Sequence, residues 1–243
     1  MNKPRNIISF CCVLVVVCFF SIILVNNKAN NNVNEVIGRT ISKNPIILID
    51  PGHGGMDGGA SSAGGTMEKH INLQISKYLK AELEQVGYKV LLTREEDIGL
   101  YDDSGTTRQK KIQDLNRRCQ LKRETACNMF VSIHLNKFPE SKYKGAQIWY
   151  SNFEESKNLA QILQSGLKTD IDPNNNRKIK AAGSQYKVLS NNDYMPGVIV
   201  ECGFLSNPEE EGLLKTEQYQ KKIAKSLAKS IKNYYDIDSI DKE

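Results

Sequence analysis

Between residues 46 and 235 short apolar runs alternate with segments of helical periodicity. The runs 46–49, 88–93, 129–135, 146–150, 186–189 and 198–200 read as strands. Ile71, Ile75, Tyr78, Leu79, Leu83 and Val86 recur at the spacing of one helix face, predicting a helix over about 69–86 that Gly87 stops. A charged helix is predicted over 108–127, with Ile112, Leu115, Cys119, Leu121 and Ala126 as its apolar side. Further helices are predicted over 159–167 and 217–235, the latter presenting Tyr219, Ile223, Leu227, Ile231 and Tyr234 on one face. Polar loops fill 95–107 and 170–183. This alternation predicts an α/β fold: a single domain with a central, largely parallel twisted sheet covered by helices on both faces.

The pattern before residue 46 is different. Lys3 and Arg5 precede an uncharged apolar stretch from residue 7 to residue 25, close to the ~20 residues that cross a bilayer as a helix. No small-residue cleavage site follows, so the stretch reads as an uncleaved signal anchor with the N-terminus inside and the bulk of the chain outside. Residues 26–44 are Asn-rich and read as a flexible tether. The expected organisation is thus a cytoplasmic 1–6, a transmembrane 7–25, a tether 26–44, a catalytic domain 45–236 and a tail 237–243.

Composition removes some classes of function. The formal net charge is +5, two units of it from Lys3 and Arg5, and no Lys/Arg run is interleaved with aromatics. Nucleic-acid binding is therefore not expected. Of six cysteines, Cys11, Cys12 and Cys18 lie in the apolar stretch. Cys119, Cys127 and Cys202 are an odd number in an exported domain and do not form a disulfide framework.

Candidate chemistry gathers where strands hand over to turns. His53 follows the 46–49 run in Asp50-Pro51-Gly52-His53-Gly54-Gly55, and His134 ends another in Ser132-Ile133-His134-Leu135-Asn136. Imidazoles at two strand ends of an α/β chain suit a divalent metal, and an open catalytic zinc site wants a third protein ligand. Glu68 opens the 69–86 helix and can point back toward the strand ends. His70, two residues on, would point elsewhere. Glu201 stands between Val198-Ile199-Val200 and Phe204-Leu205, where an unpaired buried carboxylate costs several kcal/mol. Such a setting raises a carboxyl pKa toward that of a general base.

These motifs, with the Glu68-Lys69 pair and Glu201-Cys202-Gly203-Phe204-Leu205-Ser206-Asn207, resemble the zinc-dependent N-acetylmuramoyl-L-alanine amidases of the Amidase_3 type over about residues 45–236. The resemblance implies one Zn²⁺ per chain held by His53, Glu68 and His134, with Glu201 as the catalytic carboxylate. It implies hydrolysis of the amide between the lactyl group of N-acetylmuramic acid and the first L-alanine of the peptide stem. Cys202 stands where relatives often carry a small or apolar residue.

Regulated relatives carry an autoinhibitory helix between the second histidine and the glutamate. The interval from His134 to Glu201 leaves little room for one, so control by an extracytoplasmic activator protein is expected. Without wall-binding repeats, and with Thr93-Arg94-Glu95-Glu96-Asp97 followed by the basic stretch 108–118, the domain is most similar to the spore-cortex (CwlD-type) amidases of endospore formers. In those enzymes stem removal prepares muramic δ-lactam. The implied partners are peptidoglycan and the membrane, and the implied location is the outer side of the membrane, in a spore former the forespore envelope. The competing readings are a catalytically silent, membrane-tethered wall-binding protein and a zinc peptidoglycan carboxypeptidase.

Overall fold

The computed structural model describes residues 45–190 and 193–240, with side chains to residue 237. The predicted membrane anchor and tether lie outside the described residues. Among those described, no helix is long and apolar enough to cross a membrane.

The elements run β1 (Ile46–Pro51), α1 (Glu68–Gln85), β2 (Lys89–Leu92), α2 (Thr107–Glu124), β3 (Met129–Asn136), β4 (Gln147–Tyr150), α3 (Glu154–Asp170), β5 (Lys180–Ala181), a 3₁₀ turn (Lys187–Leu189), β6 (Gly197–Phe204), α4 (Pro208–Leu214) and α5 (Glu217–Ile240). They form one α/β domain around a six-stranded sheet of order β2-β1-β3-β6-β4-β5. The sheet is mixed: β4 runs antiparallel to β6, and the other four junctions are parallel. The antiparallel junction brings the beginning of β4 to the edge where β1, β3 and β6 end.

The two faces are covered unequally. Alternate strand residues Ile47, Ile49, Val131, Ile133, Ile148 and Val200 pack under α1, α3 and α5. Each such side chain contributes about 1.5–3 kcal/mol on burial. Leu48, Phe130 and Ile199 face the other way, toward Cys119 of α2 and Val188 and Leu189 of the 3₁₀ turn. The second face is the one that carries the site.

Three expectations need correction. The 186–189 run is a 3₁₀ turn and not a strand, because Leu189 N–H bonds back to the Tyr186 carbonyl at 2.9 Å. The strand carrying Glu201 runs on to Phe204, so the carboxylate lies inside it. The apolar side assigned to α2 holds only in part: Cys119 is buried and Leu121 packs against the core, but Ile112 and Leu115 are 46% and 38% exposed, and Arg118 and Lys122 are buried in their place. Buried acidic partners turn that helix: Arg118 pairs with Asp50 and Asp114, and Lys122 with Asp193.

Candidate metal centre and active site

β1 ends at Pro51 and the chain turns sharply at the sheet edge. His53 sits at φ 62°, a left-handed conformation uncommon for a residue with a side chain. Two buried arginines hold the turn by its carbonyls. Arg94 donates to Pro51 O at 3.0 Å and to Gly52 O at 3.0 Å. Arg118 donates to Pro51 O at 2.9 Å and to His53 O at 2.7 Å, while its charge is met by Asp50. Asp50 in turn accepts from Thr93 Oγ1 at 2.6 Å and Ser132 Oγ at 2.7 Å. Gly52 leaves room for the second imidazole, since a Cβ there would lie 2.3 Å from the His134 ring.

His134 leaves β3 beside His53, the rings 4.9 Å apart and edge to face. Glu68, the first residue of α1, is 2% exposed and lies against both imidazoles. Its Oε2 is 3.3 Å from His53 Nε2 and its Oε1 is 3.0 Å from His134 Nδ1. Backbone amides of Ala60 and Leu135 donate to it at 2.7 and 2.9 Å, and Asn72 Nδ2 at 3.1 Å. One ligand atom from each of His53, Glu68 and His134 falls within 4.8 Å of the others.

The electrostatics favour positive charge here. Burial would raise the Glu68 pKa, but the hydrogen bonds with His134 and His53 prevail and hold its carboxyl far below the usual range. Burial likewise opposes protonation of His53, yet its bonds to Asp57 and Glu68 push it up to about 9. Asp57 bonds Nδ1 of His53 at 2.9 Å and leaves Nε2 facing Glu68. A carboxylate behind a ligating imidazole fixes ring orientation and raises basicity. Two imidazoles and one carboxylate, converging on a partly open edge, form the donor set of a hydrolytic zinc site, so the residues fit that ion.

Glu201 lies directly across from His134 in the parallel register of β3 and β6, and their side chains share a face. It is 7% exposed, and its Oε2 is buried with no hydrogen-bond partner among the described residues. Burial is the main reason its pKa is pushed up to about 7. An unpartnered carboxylate oxygen at that pKa suits proton transfer near neutrality. Beside the imidazoles opens a cavity of about 260 Å³ whose lining includes Met56, Tyr101, Leu115 and Tyr186. Tyr186 packs against Trp149 with the ring centres 5.2 Å apart and the planes tilted, and burial with the nearby Glu201 and Glu68 pushes its hydroxyl up to about 12.

All four residues singled out from the sequence therefore meet at one edge. His70 does not join them; it is exposed, 3.9 Å from Asp97. Cys202 points to the helix-covered face with its thiol driven well up by burial, which leaves it no nucleophilic role. Sequence reasoning missed Arg94, Arg118 and Asp57. For Arg118 the available signal was a charge where the helical spacing of Leu115, Cys119 and Leu121 calls for an apolar residue, whereas Arg94 and Asp57 lie outside the helices and strands and carried no such signal.

The Amidase_3 family profile, described as N-acetylmuramoyl-L-alanine amidase, matches residues 47–233. The chain is 38% identical over 193 residues to the germination-specific N-acetylmuramoyl-L-alanine amidase of Bacillus subtilis, covering 78% of this chain and 79% of that one. It is similar to the CwlD amidase of Clostridioides difficile, solved in complex with the GerS lipoprotein, at 43% identity and TM-score 0.77. That match covers 80% of this chain and 100% of the other. An N-acetylmuramoyl-L-alanine amidase of Clostridium difficile 630 follows at 33% identity and TM-score 0.69, covering 80% of this chain and 98% of that one. The sheet and its edge are thus those of an enzyme family acting on peptidoglycan, and the chain belongs to the Amidase_3 family of N-acetylmuramoyl-L-alanine amidases, with its CwlD-type members among its relatives.

Proposed function

We propose that this enzyme is a zinc-dependent amidase that separates the lactyl group of N-acetylmuramic acid from the first L-alanine of the stem, with His53, Glu68 and His134 as ligands and Glu201 as general base. The observation that carries the reading is the convergence of those three donors within 4.8 Å, beside a buried carboxylate with a free oxygen. A zinc ion in that position supplies Lewis acidity, making water a nucleophile at neutral pH and polarising a carbonyl. Glu201 takes a proton from the attacking water and passes it to the departing alanine nitrogen. Its apolar surroundings keep the carboxyl near neutrality, so it can both accept and release that proton. Asp57 orients His53, and Asp50 acts through Arg118 to fix the turn on which His53 stands.

The biological setting belongs to the same proposal. The germination-specific relative and the CwlD-like structure support action on spore-cortex peptidoglycan, where stem removal precedes muramic δ-lactam formation. The catalytic domain acts outside the membrane, held by the apolar N-terminal segment. The solved lipoprotein complex supports an extracytoplasmic partner as activator.

The test is metal content alongside product analysis. Glu201→Gln should retain stoichiometric zinc and lose at least about a thousandfold in kcat, given that base and nucleophile positioning both suffer. His134→Ala should lose zinc as well as activity. Mass spectrometry of digested peptidoglycan should find new alanine amino termini with the wild type. Unmodified wall from a folded, zinc-loaded wild type with its partner supplied would refute the amidase reading.

A further inference from the structure

Side chains of one face form a row along the sheet edge: His53 after β1, His134 on β3, Glu201 on β6 and Gln147 on β4. The row continues beyond Gln147 to Arg177, a residue the catalytic proposal does not use. Gln147 is 3% exposed and directly opposite Glu201 in the antiparallel register. Its Oε1 accepts from Arg177 Nη1 at 2.9 Å, and its Nε2 donates to Lys178 O at 2.7 Å. Arg177 also donates through Nε to Lys144 O at 3.0 Å, and its guanidinium lies 4.3 Å from the centre of the Phe204 ring.

These contacts hold a half-buried cation in one pose against neutral groups alone. Arg177 forms no ion pair among the described residues. The two nearby carboxylates, Glu201 and Glu210, act on it only through space, and Glu210 is occupied by the backbone amides of Gly145 and Phe204. Nη2 has no hydrogen-bond partner among the described residues. A guanidinium fixed on three sides, with one fork edge left open beside a reaction centre, is arranged for an incoming anion. Lys180, with its ammonium 4.9 Å from the Trp149 ring, adds positive charge at the same end of the sheet.

Scale identifies the anion. Adjacent strands are about 4.8 Å apart, so one strand step and one hydrogen bond place the guanidinium about 7–8 Å from the Glu201 position. An extended chain covers roughly 3.3–3.6 Å per residue, so two residues span that gap. The cavity lined by His53, Tyr101, His134 and Tyr186 flanks the imidazoles, and its aromatic walls suit a sugar ring. We infer that Arg177 binds the free α-carboxylate of the stem residue that follows the scissile alanine, and so selects which stems are cut. This rests on the amidase reading above.

The experiment uses the full, zinc-loaded chain and two muramoyl tripeptides that differ only in whether the second residue's α-carboxyl is free or amidated. The wild type should cut the acid with kcat/KM about tenfold or more above the amide, mostly through KM, as expected for loss of a charge-assisted bond. Arg177→Gln should lose about ten- to a hundredfold on the acid and little on the amide. Arg177→Lys should keep part of the preference. Binding of the same pair to Glu201→Ala protein should follow the same order. Equal rates on both peptides in the wild type, or an equal loss on both in Arg177→Gln with the preference intact, would overturn the inference and leave the amidase reading standing. A wild type that cuts neither peptide with its activator partner supplied would sink both.

Discussion

At Gly52 an added Cβ would fall 2.3 Å from both Cε1 and Nε2 of His134. Backbone on either side cannot move to relieve it, because Arg94 and Arg118 grip the flanking carbonyls. The imidazole must turn away instead. Gly52→Ala should therefore lower zinc affinity by tenfold or more, with a stability cost of about 1–3 kcal/mol, the usual range for overpacking. Competition with a coloured chelator and urea unfolding measure the two separately. Undiminished zinc affinity would show that the ring orientation does not matter. The same logic explains why His53 tolerates a left-handed φ: the hydrogen bonds to its carbonyl and Nδ1 over-determine the turn.

For whole elements, α2 is the informative case. Its inner face is carried by Arg118 and Lys122, each met by buried acids. Lys122 also donates to Val188 O, so one ammonium ties the helix to the 3₁₀ turn and to Asp193. Removing one partner of a buried pair strands the other charge and costs about 3–5 kcal/mol, more than the pair itself contributes. Lys122→Met alone should lower unfolding stability by that amount. Adding Asp193→Asn should restore most of it, because the orphaned charge is gone. Denaturant melts of the single and double variants decide this, and an additive double variant would mean that the two side chains do not interact.

Across the whole molecule, most of the packed core lies under α1, α3 and α5, while His53, Glu68 and His134 gather at one edge of the sheet. The core does not pass through the ligand cluster, unlike small domains that depend on metal to fold. Chelation should therefore abolish hydrolysis and lower the melting temperature by several degrees, through loss of ligand linkage, without unfolding the protein at 25 °C. Far-UV circular dichroism with and without chelator, followed by zinc addition, checks this. Collapse of the helical signal on chelation would contradict it.

Sequence alone determined the alternation of strands and helices, because period-two and period-3.6 burial patterns are local properties of the chain. It also singled out His53, Glu68, His134 and Glu201, which the structure brings to one edge, since a histidine among turn glycines and a carboxylate between apolar residues are visible without coordinates. Helix α2 misled it, because the apolar rule fails where charges are neutralised by residues distant in the chain, such as Asp50 and Asp193. Only the tertiary structure decided that β4 runs antiparallel beside β6. That reversal carries Gln147 to the reacting edge and leaves Arg177 at the end of the row. Strand direction follows from how the whole sheet buries its two faces, which no short segment encodes.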